Sequence, residues 1–174
     1  RQRQMCIRDR AEVQASPADG GQVAALVVRP AVDAREMPAA AHLSPAGGME
    51  GDRWRATGGP ADQQVSLMNA RLLRLLAGGD EARMGEAGDN LIVDLDLGDY
   101  NLPSGTRLRA GEALIEVTGA LHTGCSKFAA RFGPDAARFV NAAERRGLHL
   151  RGRYARVIEA GTLHVGDKVW KVMI

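Results

Sequence analysis

The chain has 174 residues, 45% hydrophobic, 25% charged and only 4% aromatic, which is an ordinary globular balance and enough length to bury one core. Its formal net charge of +2 belongs to the first ten residues, where Arg1, Arg3, Arg8 and Arg10 against Asp9 give +3 and leave −1 for the remainder, so nothing favours nucleic acid as a partner. No apolar run approaches the ~18 residues of a membrane span and no signal-peptide core is visible, so the expectation is a soluble, cytoplasmic protein without membrane association.

The opening R-Q-R-Q-M-C-I-R-D-R resembles a translated sequencing adapter, and with Ala11–Gly21 it is read as an artefactual or disordered tail and linker over residues 1–21. The other reading of those ten residues is a basic arm that binds something acidic. The domain proper then covers 22–174. Val23 to Val28 is a continuous apolar run, which predicts a buried first strand. From Ala31 to Pro60 no period is visible, and four prolines between 30 and 60 with two Gly-Gly pairs predict a long irregular excursion, of the kind that is often functional. Gln64 to Met68 predicts a short strand, and Asn69 a cap for a helix whose Leu72, Leu73, Leu75 and Leu76 form one face up to Gly78-Gly79. Leu91 to Leu95 predicts another strand. Thr106–Arg109 and Ala113–Thr118 about Ala110-Gly111 predict a hairpin, and Asp135 to Arg146 a helix. Tyr154–Glu159, Thr162–Val165 and Lys168–Val172 predict three closing strands. Short strands separated by glycine turns, with two or three inserted helices, indicate a mainly β architecture, a small closed or partly open barrel rather than a doubly wound sheet.

Within that frame the stretch T-G-A-L-H-T-G-C-S-K-F-A-A-R-F from Thr118 to Phe132 stands out, since it carries Cys125, the only cysteine besides Cys6. One remaining cysteine cannot build a disulfide framework. Two readings fit it. A lone cysteine is commonly a small buried hydrophobe. Alternatively, a turn with Lys127 and His122 beside it favours the reactive thiolate. Gly88-Asp89-Asn90 is either a simple turn or an amide poised beside an anionic ligand. Arg53, in Glu50–Arg55, is either solvated or a phosphate contact. Arg153, in Arg151-Gly152-Arg153-Tyr154, either flanks a strand or reaches a ligand. His42, His122, His149 and His164 lack the spacing of a zinc site, and no Walker loop, dinucleotide fingerprint or G-x-S-x-G elbow is present.

The order of these pieces resembles the MOSC domain, named for the C-terminal part of molybdenum cofactor sulfurases. The matching segments are G-M-E-G-D-R-W (Gly48–Trp54), Q-V-S-L-M-N (Gln64–Asn69), G-D-N-L-I-V-D-L-D-L (Gly88–Leu97), L-P-S-G (Leu102–Gly105) and L-R-A-G-E-A-L-I-E-V-T (Leu108–Thr118). G-C-S-K-F (Gly124–Phe128), G-R-Y-A-R-V-I-E-A-G (Gly152–Gly161) and V-G-D-K-V (Val165–Val169) complete the series. The resemblance implies a barrel like the small barrel domain of pyruvate kinase. It also implies a molybdenum cofactor of the molybdopterin type, with Cys125 as the molybdenum ligand. Asn90 would lie near the pterin. Arg53, Arg153 and Lys127 would steady its phosphate, with Ser126 and His122 as further contacts. The implied activity is two-electron reduction of N-hydroxylated small-molecule substrates, with electrons from a donor protein. The alternative it implies is a sulfur carrier, with Cys125 holding a persulfide received from a pyridoxal-phosphate-dependent desulfurase. Two departures from the family pattern are Gly124, where proline is usual and whose presence implies a looser turn, and Phe128, where larger reductase-type members carry a second cysteine.

Overall fold

The structure, a computed structural model, describes residues 8 and 10–173. Its strands are β1 (Gly21–Leu26), β2 (Ala40–Ser44), β3 (Gly48–Met49), β4 (Val65–Asn69), β5 (Leu91–Asp94), β6 (Arg107–Ala110), β7 (Ala113–Val117), β8 (Arg153–Glu159), β9 (Gly161–His164) and β10 (Lys168–Val172). A closed barrel runs β1-β10-β6-β7-β8-β4-β5, and β3-β2-β9 form a separate small sheet. β1 pairs with β5 to shut the barrel, and only the β4–β5 pair is parallel. The helices α1 (Ala70–Leu76), α2 (Ser126–Phe132) and α3 (Pro134–Asn141) are inserted between strands. This is the mainly β small barrel with inserted helices that the sequence predicts.

The continuous apolar runs have a physical reason. Alternate residues of a strand face opposite sides, and here both sides are covered. Leu67, Leu91 and Val93 join Leu26, Ile115, Val157 and Leu163 in the main core, whereas Met68 and Ile92 join Leu72, Leu73, Phe128 and Phe139 in a second core beneath the helices. Asn69 caps α1 by accepting from Leu72 N at 3.0 Å, and its amide donates to Leu95 O and Ser16 Oγ. α2 is pinned to the barrel by Phe128, so whatever precedes that helix is held against the end of β4 and β5.

Three expectations differ from the structure. The stretch Ala31–Pro60 is not wholly irregular, since it contributes β2 and β3. β2 alternates properly, with Ala41 and Leu43 buried, but one of its two inward residues is alanine and its partner β9 lies about 120 residues away, so the local pattern is too thin to read. The helix predicted for Asp135–Arg146 breaks at Ala142, whose ψ of 127° is extended, and a 3-10 segment Ala143–Leu148 follows. Arg145 folds back there, donating to Phe139 O and lying 4.5 Å over the Phe139 ring. The segment Glu81–Ala87, for which no element is predicted, is a 3-10 helix started by Asp80 accepting from Ala82 N. The expected tail falls partly outside the described residues. From residue 10 the chain makes a helical turn with Val13 buried, and Ala15 O accepts from Arg71 of α1.

Candidate functional site

The segment between β7 and α2 returns across the barrel end and delivers Cys125 as the residue that caps α2, in extended conformation with φ −93°. The thiol is exposed. Gly124 does not leave the turn loose. Asn141 of α3 accepts from Gly124 N at 2.7 Å and donates to Gly124 O at 2.9 Å, and a Cβ at 124 would crowd that amide at 3.1 Å. Partial burial pushes the Cys125 thiol up, but the backbone N–H groups of Phe128 and Lys127 and the charge of Arg151 outweigh it, so its pKa lies below the ordinary thiol value.

Cys125 opens into a cleft of about 270 Å³ whose wall carries Arg29, Arg35, Arg53, Lys127, Arg131 and Arg151, against the single lining carboxylate Asp89. Each cation is held in its own way. Arg29 Nε and Nη2 donate to the two oxygens of Asp52 at 2.8 and 2.9 Å. Arg29 N also donates to Asp52 Oδ2, at 3.0 Å. The Asp52 side chain is 1% exposed. Burial alone would raise its pKa, yet the Arg29 fork and the amides of Trp54 and Arg29 hold it below the usual carboxylate range. Arg151 Nη1 donates to Asp89 Oδ2 at 2.6 Å and Nη2 to Ala87 O, and its guanidinium lies 4.8 Å over Phe128. Lys127 Nζ and Arg131 Nη2 both donate to Asp33 Oδ1, at 3.0 and 3.2 Å. Arg35 and Arg53 have no carboxylate within ion-pair distance among the described residues. Burial, then the charges of Arg131, Arg29 and Arg53, hold Arg35 below the usual guanidinium value, which reports how crowded with positive charge this wall is. Gly88, at φ +76°, lets Arg35 lie against the chain, since a Cβ there would meet its guanidinium at 3.0 Å.

His122 sits on the floor. Its side chain is 9% exposed, its ring is 4.4 Å from that of Tyr154, and its Nδ1 is 3.5 Å from Asp89 Oδ1. Burial pushes its pKa down to about 4; Asp89 opposes this, and Arg151 and Arg29 add to it, so the imidazole is neutral near pH 7. Its Nδ1, Asp89 Oδ1, Arg151 Nε and Arg35 Nε are buried polar atoms with no hydrogen-bond partner among the described residues. Buried polar atoms are ordinarily satisfied; the first two face each other at 3.5 Å, which leaves the Nε donors of Arg35 and Arg151 for ordered water or a ligand to satisfy.

The structure brings Cys125, Lys127, His122 and Arg53 into this cleft and leaves three other candidates outside its lining. Ser126 begins α2. Asn90 is fully buried behind the wall, where its Oδ1 accepts from Ser66 N and its Nδ2 donates to Val27 O and Asp52 Oδ2. Arg153 is 2% exposed and donates to Leu97 O and Leu102 O, with Asp99 at 3.3 Å. The cleft residues that sequence reasoning missed are Arg29, Arg35, Asp89, Arg131 and Arg151. Arg151, Asp89 and Arg131 stood inside motif segments already singled out, whereas Arg29 and Arg35 did not. A larger hollow of about 740 Å³ lies among the helices, lined by Leu75, Leu76, Phe132 and Phe139. Its arginines Arg83, Arg138 and Arg145 are already engaged by Glu86, Asp135 and the Phe139 ring, and no thiol or hydroxyl lines it, so the chemistry points to the smaller cleft.

Fold and cleft together define a small barrel that presents a reachable thiol in a cation-lined cleft. The MOSC domain model matches residues 41–170, most of the chain, and the chain belongs to the MOSC family. A search of curated proteins finds no match. Among solved structures it is similar to the YuaD protein from Bacillus subtilis, with a TM-score of 0.63 and 18% identity, covering 86% of this chain and 93% of that one. It is also similar to YiiM from Geobacillus stearothermophilus, with a TM-score of 0.60 and 17% identity over 88% and 75% of the two chains. YiiM from Escherichia coli gives 0.57 and 20% over 88% and 70%. These likenesses concern the fold. No helix among the described residues is long and apolar enough to cross a membrane.

MOSC domains are associated with molybdenum-cofactor enzymes. The residues fit such a group. An exposed thiolate-prone sulfur suits a soft or covalent metal bond, and the orphaned guanidinium nitrogens suit a phosphate. Among the described residues no group of three or more His, Cys, Asp or Glu could hold a metal ion.

Proposed function

We propose that the cleft binds a molybdopterin-type cofactor, with Cys125 as the molybdenum ligand, and that the loaded protein reduces N-hydroxylated small molecules using electrons from a donor protein. The observation that carries this reading is the exposed, acidified Cys125 thiol beside a wall of cations. When bound, the group supplies the two-electron redox chemistry. The chain's own residues bind and orient. Arg35 and Arg53 offer guanidinium donors to the phosphate, and Arg29 is set at its angle by Asp52, which Asn90 holds in turn. Neutral His122 offers a ring nitrogen on the cleft floor, with Asp89 behind it. Overall the N–O bond breaks, two electrons and two protons are consumed, and water leaves.

Molybdenum content after expression in a cofactor-producing host tests this. The wild type should carry close to one metal per chain, and Cys125→Ser should lose most of it. Full loading of the serine variant would overturn the ligand role. The exposure of Cys125 also favours a second reading, a sulfur carrier reached by a pyridoxal-phosphate-dependent desulfurase. A reductant-labile gain of one sulfur on Cys125, in protein without molybdenum, would select that reading instead.

A further inference from the structure

One ion-pair arrangement beside the cleft stands partly in solvent. Asp33 lies on the loop after β1, where Val28 and Glu36 exchange two backbone hydrogen bonds and so close a short strap over the cleft rim. Asp33 itself has φ +60°, a conformation that non-glycine residues seldom hold without reason. Its carboxylate, 61% exposed, reaches across to Lys127 and Arg131, two of the six lining cations. The other two acids differ, since the Asp52 and Asp89 side chains are each 1% exposed and locked to Arg29 and Arg151.

We infer that Asp33 is a specificity-determining residue, a built-in counter-anion that limits the cleft to ligands bearing one phosphate dianion and disfavours pyrophosphate-type ligands. Six lining cations against Asp33, Asp52 and Asp89 leave three positive charges, and two once the Cys125 thiolate forms. Two charges match one phosphate dianion seated on the unpaired Arg35 and Arg53. A second phosphoryl group would have to draw Lys127 and Arg131 away from Asp33, leaving that carboxylate without its partners and facing added negative charge. Like charges disfavour such an approach. The inference rests on the anion-binding part of the proposed function and not on the metal.

Binding of inorganic phosphate and of inorganic pyrophosphate, measured by calorimetry on the purified chain at about pH 8 where phosphate is a dianion, tests it directly. Asn tolerates the left-handed backbone, so Asp33→Asn keeps the strap. Expected for Asp33→Asn is a gain of roughly tenfold for pyrophosphate and of no more than roughly threefold for phosphate, as suits the release of two partly exposed cations. Arg53→Gln should weaken both anions alike in either background. An unchanged or reduced pyrophosphate-to-phosphate preference in Asp33→Asn would overturn the inference, and so would failure of both anions to bind. Neither result bears on molybdenum loading through Cys125, which is read separately by metal content.

Discussion

The two banks of the cleft use the same device, a carboxylate holding arginine, in opposite surroundings. On the barrel side Asp52 and Asp89 are almost wholly out of water, and their partners Arg29 and Arg151 are fixed by further bonds to carboxylate and backbone. On the strap side Asp33 stands in solvent and binds Lys127 and Arg131 through a single oxygen. Burial turns the first kind of pair into architecture. Removing one partner there strands a charge in a low dielectric, while an exposed pair is screened and exchangeable. A site that must hold its shape and still accept an anion uses both kinds, a rigid bank that sets geometry and a labile one that can give up its partner.

That contrast breaks first at Asp89. Asp89→Ala leaves Arg151 buried against Phe128 with Ala87 O and the weakly accepting Met68 Sδ as its remaining acceptors, and stability should fall by about 3–5 kcal/mol in denaturant unfolding. A loss below about 1 kcal/mol would mean that water reaches Arg151 and that this bank is no more rigid than the other.

His122 gives the next largest effect, and it appears with pH. Its folded pKa of about 4 lies below the ordinary 6.5, so between those values the unfolded chain binds a proton that the folded chain refuses. Stability is therefore lost as pH falls from about 6.5 towards 4, by about 3 kcal/mol for a shift of this size. His122→Gln should flatten that part of the stability-against-pH curve relative to the wild type. Parallel curves would show that the ring is solvated and that the cleft floor is open.

The sequence makes the barrel legible because β4, β5 and β7 are buried nearly throughout and read as apolar runs, and because Asn69 sits where a cap must. β2 is hidden, since only Ala41 and Leu43 carry its pattern. In the site, Cys125 and Lys127 are legible from their turn, but an arginine's direction is not written in its neighbours. Arg153 turns inward to two carbonyls, whereas Arg151, two positions earlier, reaches the cleft wall. Gly152 lies between them, at φ +110°, where a Cβ would stand 2.2 Å from Leu67 O, so the backbone there is shaped by tertiary contact rather than by local preference. Arg29 adjoins Pro30 and is set by the distant Asp52, while Arg35, in the stretch without period, donates to Ala34 O and lies against the distant Gly88.

The smallest effect belongs to Asp33, and it sharpens the comparison most. Lys127 above all, with Arg131 and Arg35 adding less, holds its carboxyl below the usual carboxylate range against an opposing effect of burial. A depressed folded pKa means stabilisation that is present above the ordinary carboxylate value and lost as pH falls through the folded one. Its exposure to solvent and salt screening shrink that contribution until it competes with the side-chain entropy of holding the pair. Asp33→Asn should therefore leave the unfolding midpoint where it is, in low salt and in high, while Asp89→Ala moves it in both. A clear loss of stability in Asp33→Asn would show that the strap is clamped by this carboxylate as part of the fold, and the cations it holds would then not be available to any ligand.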